Sequence, residues 1–375
     1  MWRKELPKLP KLPVDNTMPP VWLNWFNAVY NASLQNPNIF NVLSYGAKGD
    51  GTTDDSRGFQ SAINAATIAG NGIVYAPDTN NGYAFGSAVK LPSNVLLLGD
   101  NKKGLELSRI KPTPGYTGNL VESIGWSATA ANATKIQNSG IVGFFFDGSS
   151  TTLTAVDTYC QECVFLDNTF KNMYTYGMRI AGKSSATNDL GLNNNIHHNY
   201  FSKVGSTKFW DAIFEDYYTA DNKYTNNYIE GCQNASIETR GANSLITENH
   251  LFDTKHHILS LDSVEKQITD NYLEFCTHSS IRVENGSSSE QQLFMIAANN
   301  LFRNINTSNA AHGVIELNGN YCNYALIQGN ALRRDSGTSY NTDYFVWKSA
   351  GFTQVVLDST NFIYVPACIN TALIN

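Results

Sequence analysis

Three carboxylates stand in short alternating segments of this chain: Glu215 in Asp211-Ala-Ile-Phe-Glu-Asp-Tyr217, Glu238 in Ala235-Ser-Ile-Glu-Thr-Arg240, and Asp262 in His257-Ile-Leu-Ser-Leu-Asp262. Paired carboxyl groups carry out acid–base work on glycosidic bonds, about 5–5.5 Å apart when configuration is retained and about 6.5–9.5 Å apart when it is inverted. Neighbouring β-strands lie about 4.8 Å apart, so carboxylates on adjacent strands approach the first separation and those two strands apart the second. Glu238 with Asp262 is one candidate pair and Glu215 with Glu238 another. Arg240, Arg282, Glu284 and Asp216 would hold sugar hydroxyls or an acidic sugar. Trp210 and Tyr217, in an aromatic-rich stretch with Phe209, Tyr218, Tyr224 and Tyr228, would stack on sugar faces or pack between loops or subunits. His256, His257 and His278 stand nearby as candidate proton acceptors. The competing reading of the charges is a ladder of Glu and Arg that solubilises a sheet face.

What positions these groups is a repeat. Seven asparagines, at 168, 199, 227, 249, 271, 300 and 330, each open a unit closed two residues later by an apolar side chain, with spacings of 31, 28, 22, 22, 29 and 30. A period of a few tens of residues marks a solenoid, in which each repeat buries its apolar face on the next. Segments at equal offsets from Asn227, Asn249 and Asn271 should stack in register. Period two then predicts Ile237, Leu259 and Ile281 inward in one column and Thr239, Leu261 and Val283 in the next. It predicts Glu238, Ser260 and Arg282 outward beside Arg240, Asp262 and Glu284, with Arg179 below, Glu316 above and Glu215 or Asp216 joining the same face.

Composition agrees. Only 15% of residues are charged, while glycine and aromatic residues are plentiful, as suits an all-β chain with many tight turns. A net charge of −6 argues against wholesale binding to nucleic acid or an anionic membrane. No stretch is long enough to span a bilayer, and the start of the chain shows no apolar signal region, which predicts synthesis in the cytoplasm without classical export. The six cysteines form no dense framework and read as buried thiols, Cys160 and Cys163 included. No cofactor and no metal site is expected, and there is no EF-hand-like calcium loop, although a few carboxylates could hold calcium were the protein a lyase.

Residues 1–37 differ from the rest. Leu6-Pro-Lys-Leu-Pro-Lys-Leu-Pro13 is proline-punctuated and extended, and Trp22, Trp25, Phe26 and Val29 share one face of a short helix that docks on the body or on another chain. Next comes Asn41-Val-Leu-Ser-Tyr-Gly-Ala-Lys-Gly-Asp-Gly-Thr-Thr-Asp-Asp55, a strand and glycine-rich turn leading to a helix with Phe59, Ala62, Ile63 and Ala66 on one face. Asp54 or Asp55 reads as its cap. Gly70-Asn-Gly72 ends the helix, and Ile73–Pro77 and Leu91–Gly99 follow.

This stretch, roughly residues 39–100, resembles the N-terminal motif of the pectin-lyase-like superfamily of right-handed parallel β-helices, which includes pectate lyases, polygalacturonases and bacteriophage tailspikes. The resemblance implies an all-β, single-stranded, right-handed parallel β-helix over 38–333, continued by rungs or a cap over 334–375. It implies that the motif is the capped end and not the catalytic site. The polygalacturonase signature is absent in its proper order: Arg109-Ile-Lys111 comes early, Asn341-Thr-Asp343 late, and no Gly-His-Gly exists. The proline-rich start and aromatic helix look more like a phage tail protein. On that likeness the chain is expected to be a homotrimeric tailspike-like depolymerase of a virion. It would attach to a phage tail or baseplate protein through 1–37 and cleave a bacterial surface polysaccharide by hydrolysis. A polysaccharide lyase and a non-catalytic glycan-binding spike are the alternatives.

Overall fold

The computed structural model describes residues 38–126, 133–151, 154–184, 189–203, 211–261, 265–285, 294–305, 313–319, 324–333, 335, 344–349, 354–364 and 372–374. The N-terminal segment 1–37, Trp210 and Asp262 lie outside them. The described strands form three long parallel sheets of 12, 11 and 14 strands. The chain visits the sheets in turn, so each coil adds one strand to each. This is a parallel β-helix wound in the right-handed sense that parallel crossovers adopt. Its interior is one continuous apolar column, and the largest side chains in it include Phe146, Phe170 and Phe201, stacked 5.2 and 4.5 Å apart.

The asparagine units are the corners between the first and second sheets. The residue before each ladder asparagine sits in the left-handed region: Asp167, His198, Asn226, Glu248, Asp270, Asn299 and Gly329 all have φ between 54° and 63° or so. A single such residue turns the chain sharply and aims the asparagine inward. There the side chains stack. Nδ2 of Asn168 donates to Oδ1 of Asn199 (3.1 Å), Asn199 to Asn227 (3.1 Å), Asn227 to Asn249 (3.1 Å), Asn249 to Asn271 (3.0 Å) and onward to Asn361. Each Oδ1 also accepts the backbone N–H of the asparagine one coil earlier. Replacing Asn249 by alanine orphans the buried N–H donors of Asn227 on one side and removes a donor from Tyr224 O and Asn271 Oδ1 on the other. At about 1–3 kcal/mol for a buried group left unsatisfied, chemical denaturation should show a loss of that order.

The N-terminal end is closed by the helix Ser56–Ile68, whose Phe59, Ala62, Ile63 and Ala66 cover the first coil. Asp54 accepts from Ser56 N (3.0 Å) at the helix start. Asp55 accepts from Lys48 N, Gly49 N and Ala84 N and so ties the glycine-rich turn to the helix. Both aspartates are structural, as their position predicts. Past residue 333, strands Tyr344–Lys348, Gln354–Leu357, Phe362–Tyr364 and Ala372–Ile374 extend the same sheets.

The register of the third sheet differs from the expected one in a single coil. Ile237 pairs with Ile258 and Ile258 with Ile281, all inward. Leu259, not Ser260, therefore stands between Glu238 and Arg282 on the outer face, and Leu261 stands beside Glu284. Asn249 to Ile258 is one residue shorter than Asn227 to Ile237 or Asn271 to Ile281, and a slip of one residue exchanges the two faces of a strand. Ser260 is fully buried as a result.

Candidate functional site

The outer face of the third sheet carries one column of side chains in register. Lys90, Glu122, Asp157, Arg179 and Phe214 occupy successive strands of its first half. Glu238, Leu259, Arg282, Glu316 and Trp347 continue it. In a chain with so few charges, this sheet gathers them.

Arg179 is the hub of the first cluster. Its Nη2 pairs with Asp216 Oδ2, and its Nη1 lies 3.9 Å from Asp157 Oδ2, so one guanidinium fork faces two carboxyl groups. Asp157 is 4% exposed. Burial pushes its carboxyl up to about 7; Arg179 opposes the rise, while Glu122 and Asp216 add to it. Asn119 Nδ2 bridges Glu122 Oε1 (2.9 Å) and Asp157 Oδ2 (3.1 Å). Among the described residues Asp157 Oδ1 has no hydrogen-bond partner. Glu122 is itself paired with Lys90.

Glu238 faces outward, as its alternation predicts, and is 5% exposed. Arg240 Nη2 pairs with its Oε1 (2.7 Å), and Asn234 Nδ2 donates to its Oε2 (3.3 Å). Behind it lies Asp211, wholly buried and bonded by Asn234 Nδ2 (2.9 Å) and Ala235 N (2.8 Å). Burial and the neighbouring Glu238 push the Asp211 carboxyl well above the usual range. Arg240 lies over the rings of Phe214 (5.0 Å) and Tyr217 (5.1 Å), and Phe214 stacks on Tyr176 at 4.7 Å. Arg179 lies over Trp126 (5.5 Å). Further along, Arg282 pairs with Glu284 and, at 3.5 Å, with Glu316, which also accepts from Ser279.

Glu215 does not join this face. It stands in the inward column, opposite Ile180 and Thr239, and is fully buried. The side chains of Thr239, Ser244 (2.8 Å), Thr219 (3.1 Å) and Asn222 (2.8 Å) all donate to it. Asn222 is the end of a second asparagine stack that begins at Asn194, so Glu215 terminates that stack inside the coil. Lys266, also buried, donates to Ser244 Oγ (3.1 Å) and Gly241 O, and burial lowers its ammonium to about 8. The expectation of Glu215 as a groove carboxylate is corrected. Asn199 to Ile213 is four residues longer than Asn227 to Ile237, an even difference that keeps the phase, so Glu215 points inward with Ile213 and Asp216 takes the outward place.

The structure thus brings Asp216, Tyr217, Glu238 and Arg240 together, and places Arg282 and Glu284 further along the same face. His257 is inside the coil, with Nδ1 on Ser280 Oγ (2.7 Å) and Nε2 on Glu274 O (2.9 Å). Burial lowers both His256 and His257 to about 3. Tyr224 is core, and Tyr228 belongs to a ring ladder on the second sheet with Tyr200, His250 and Tyr272. Cys160 and Cys163 are buried free thiols. Sequence reasoning missed Glu122, Asp157 and Asp211. An aspartate in the middle of the otherwise apolar or hydroxylated strand Thr154–Gln161 was the available signal for Asp157; Asp211 gave none.

A solenoid of three parallel sheets, capped by a helix after a glycine-rich turn and charged along one face, defines a pectin-lyase-like parallel β-helix protein. The chain belongs to the family described as rhamnogalacturonase A/epimerase, pectate lyase-like, which it matches over residues 39–234, just over half its length. Alginate lyase 7 of Azotobacter vinelandii is 36% identical over 115 residues, covering 29% of this chain and 13% of the lyase. A polygalacturonase of Prunus persica is 22% identical over 188 residues, 44% of this chain and 48% of that one. The chain thus spans less than half the length of either. Among solved structures, the A-module of the Azotobacter vinelandii mannuronan C-5 epimerase AlgE6 has a TM-score of 0.61 at 16% identity, over 87% of this chain and all of that one. The tailspike of E. coli bacteriophage HK620, in complex with a pentasaccharide, has a TM-score of 0.60 at 14% identity, over 89% and 68%. These likenesses establish the fold. Among the described residues no helix is long and apolar enough to cross a membrane.

Proposed function

We propose that the chain is a tailspike-like depolymerase that hydrolyses glycosidic bonds of a bacterial surface polysaccharide on the outer face of its third sheet. The observation that carries the reading is the Arg179 fork, with the buried Asp157, its carboxyl raised to about 7, on one side and the Asp216 carboxyl on the other. Asp157 delivers its proton to the glycosidic oxygen as that bond breaks. Asp216 either removes a proton from the attacking water or attacks the anomeric carbon itself, and water ends on the sugar in both cases. Glu238 and its partner Arg240, which lies over Phe214 and Tyr217, bind the adjacent sugar. Support for the tailspike setting comes from the fold shared with the HK620 protein. A homotrimer attached to a phage tail through residues 1–37 belongs to the same proposal.

Digestion of capsular and exopolysaccharides tests the reaction. Hydrolysis gives fragments heavier by one water and without new ultraviolet absorbance. An unsaturated, absorbing product makes the protein a lyase, and unchanged chain length with altered sugars makes it an epimerase. The raised carboxyl of Asp157 adds a pH dependence. The acid form does the work, half of it remains at about pH 7, and each further unit removes most of the rest. Turnover should therefore fall above pH 7, and a profile flat from 6 to 9 on the ~1-unit scale of such groups excludes Asp157 as the acid.

A further inference from the structure

We infer that the glycan held in this groove is neutral and hydroxyl-rich in the sugars that span Arg179 to Arg282, an inference that rests on the depolymerase reading above. A polyanion needs cations free to receive it, because like charges brought together across an interface cost several kcal/mol. Among the described residues of this column and its immediate neighbours, the cations Lys90, Arg179, Arg240 and Arg282 are each already engaged by a carboxylate of the protein. Arg179 and Arg282 face two carboxyls apiece. Against these four stand six described carboxyl groups, at 122, 157, 216, 238, 284 and 316, with Asp211 buried behind Glu238. Even with Asp157 protonated, carboxylates outnumber cations.

Such ion pairs suit hydroxyl groups well. A carboxylate accepts and a guanidinium donates, so a pair side by side satisfies both functions of a sugar hydroxyl without gaining or losing net charge. The uncharged members of the column fit the same class. Phe214 and Leu259, both nearly buried, flank Glu238 without adding charge, and the part-exposed Trp347 follows Glu316 with apolar surface beside the last ion pair. Sugar rings alternate in this way between hydroxyl edges and C–H faces. Internally paired cations separate this face from a site built for a uronate polymer, whose uronates each carry a negative charge.

The test uses the full chain with Asp157→Asn, so that ligands are bound and not consumed, on an array of bacterial polysaccharides with neutral and uronate-bearing members in matched numbers. Binding concentrated among neutral polymers and insensitive to salt is expected. Binding to uronate polymers that fades at high salt overturns the inference. If the wild-type chain also cleaves those polymers, the depolymerase reading survives that loss. An array with no bound member and no cleavage counts against both. A second arm releases one cation: Glu284→Gln with Glu316→Gln frees Arg282, and polygalacturonate binding should rise about tenfold, the equivalent of one recovered ion pair. No rise in that folded variant shows that internal pairing does not set the charge selectivity, and the inference falls.

Discussion

Asp157→Asn lowers polysaccharide cleavage by about 10²–10⁴-fold, the usual worth of a positioned proton donor, and Asp216→Asn does the same. The two losses should not add, since the residues serve one reaction around one guanidinium. Asparagine matches aspartate in shape, so Asn119 and Arg179 keep neighbours of the same size, and the third sheet retains its register. Circular dichroism and thermal melting should therefore change little while product formation collapses. The pH profile adds a signature that a purely structural role lacks. The descending limb near pH 7 belongs to Asp157 and should vanish from the residual activity of Asp157→Asn. Substantial activity in either amide variant, with the descending limb intact, removes the Arg179 fork from the mechanism and shifts attention to Glu238 and its buried partner Asp211.

Glu215→Ala behaves in the opposite way, costing about 3–5 kcal/mol of stability as buried partners are stranded. Thr239, Ser244, Thr219 and Asn222 all lose their acceptor, and Lys266 is left buried with only Ser244 and the Gly241 carbonyl. Replacing both charged residues, Glu215→Leu with Lys266→Met, should recover the part of the loss that comes from a buried ammonium left without its balancing charge, while the stranded donors remain. Denaturant unfolding of the single and double variants measures the difference. A double variant as unstable as the single would show that the hydroxyl and amide donors, and not the charges, hold this corner. Lys266 also gives wild-type stability a pH dependence. Its ammonium is lowered to about 8 in the folded chain against about 10.4 for a free lysine, so between these values the unfolded chain carries a proton the folded chain has lost, and stability rises with pH through that window.

The contrast between these two carboxylates shows what a linear reading can reach. Glu215 and Asp216 are adjacent, yet one lies among hydroxyls inside the coil and the other on a guanidinium outside. Period two says only that they point to opposite faces, not which face each takes. That choice depends on the pairing of Glu215 with Ile180 and Thr239, and hence on the lengths of the turns before it. The same holds for Ser260 and Leu259, exchanged by one residue missing between Asn249 and Ile258. Glu238 was placed correctly because its coil keeps the regular offset.

What the sequence by itself determined was the solenoid. The asparagine repeat specifies a corner, a left-handed residue before it and a stack of amides within. These are local matters of turn chemistry repeated until they define a fold, and the motif at residues 41–55 specifies its capped end in the same local way. What only the tertiary structure decided was the company each charged group keeps. Asp157, Arg179 and Asp216 come from three different coils, and Asp211 reaches Glu238 across another. A strand's own pattern carries no record of the residue stacked about 4.8 Å above it, because that neighbour is chosen by the length of the intervening coil. Coil length varies here from 22 to 31 residues, and the site is assembled through that variation.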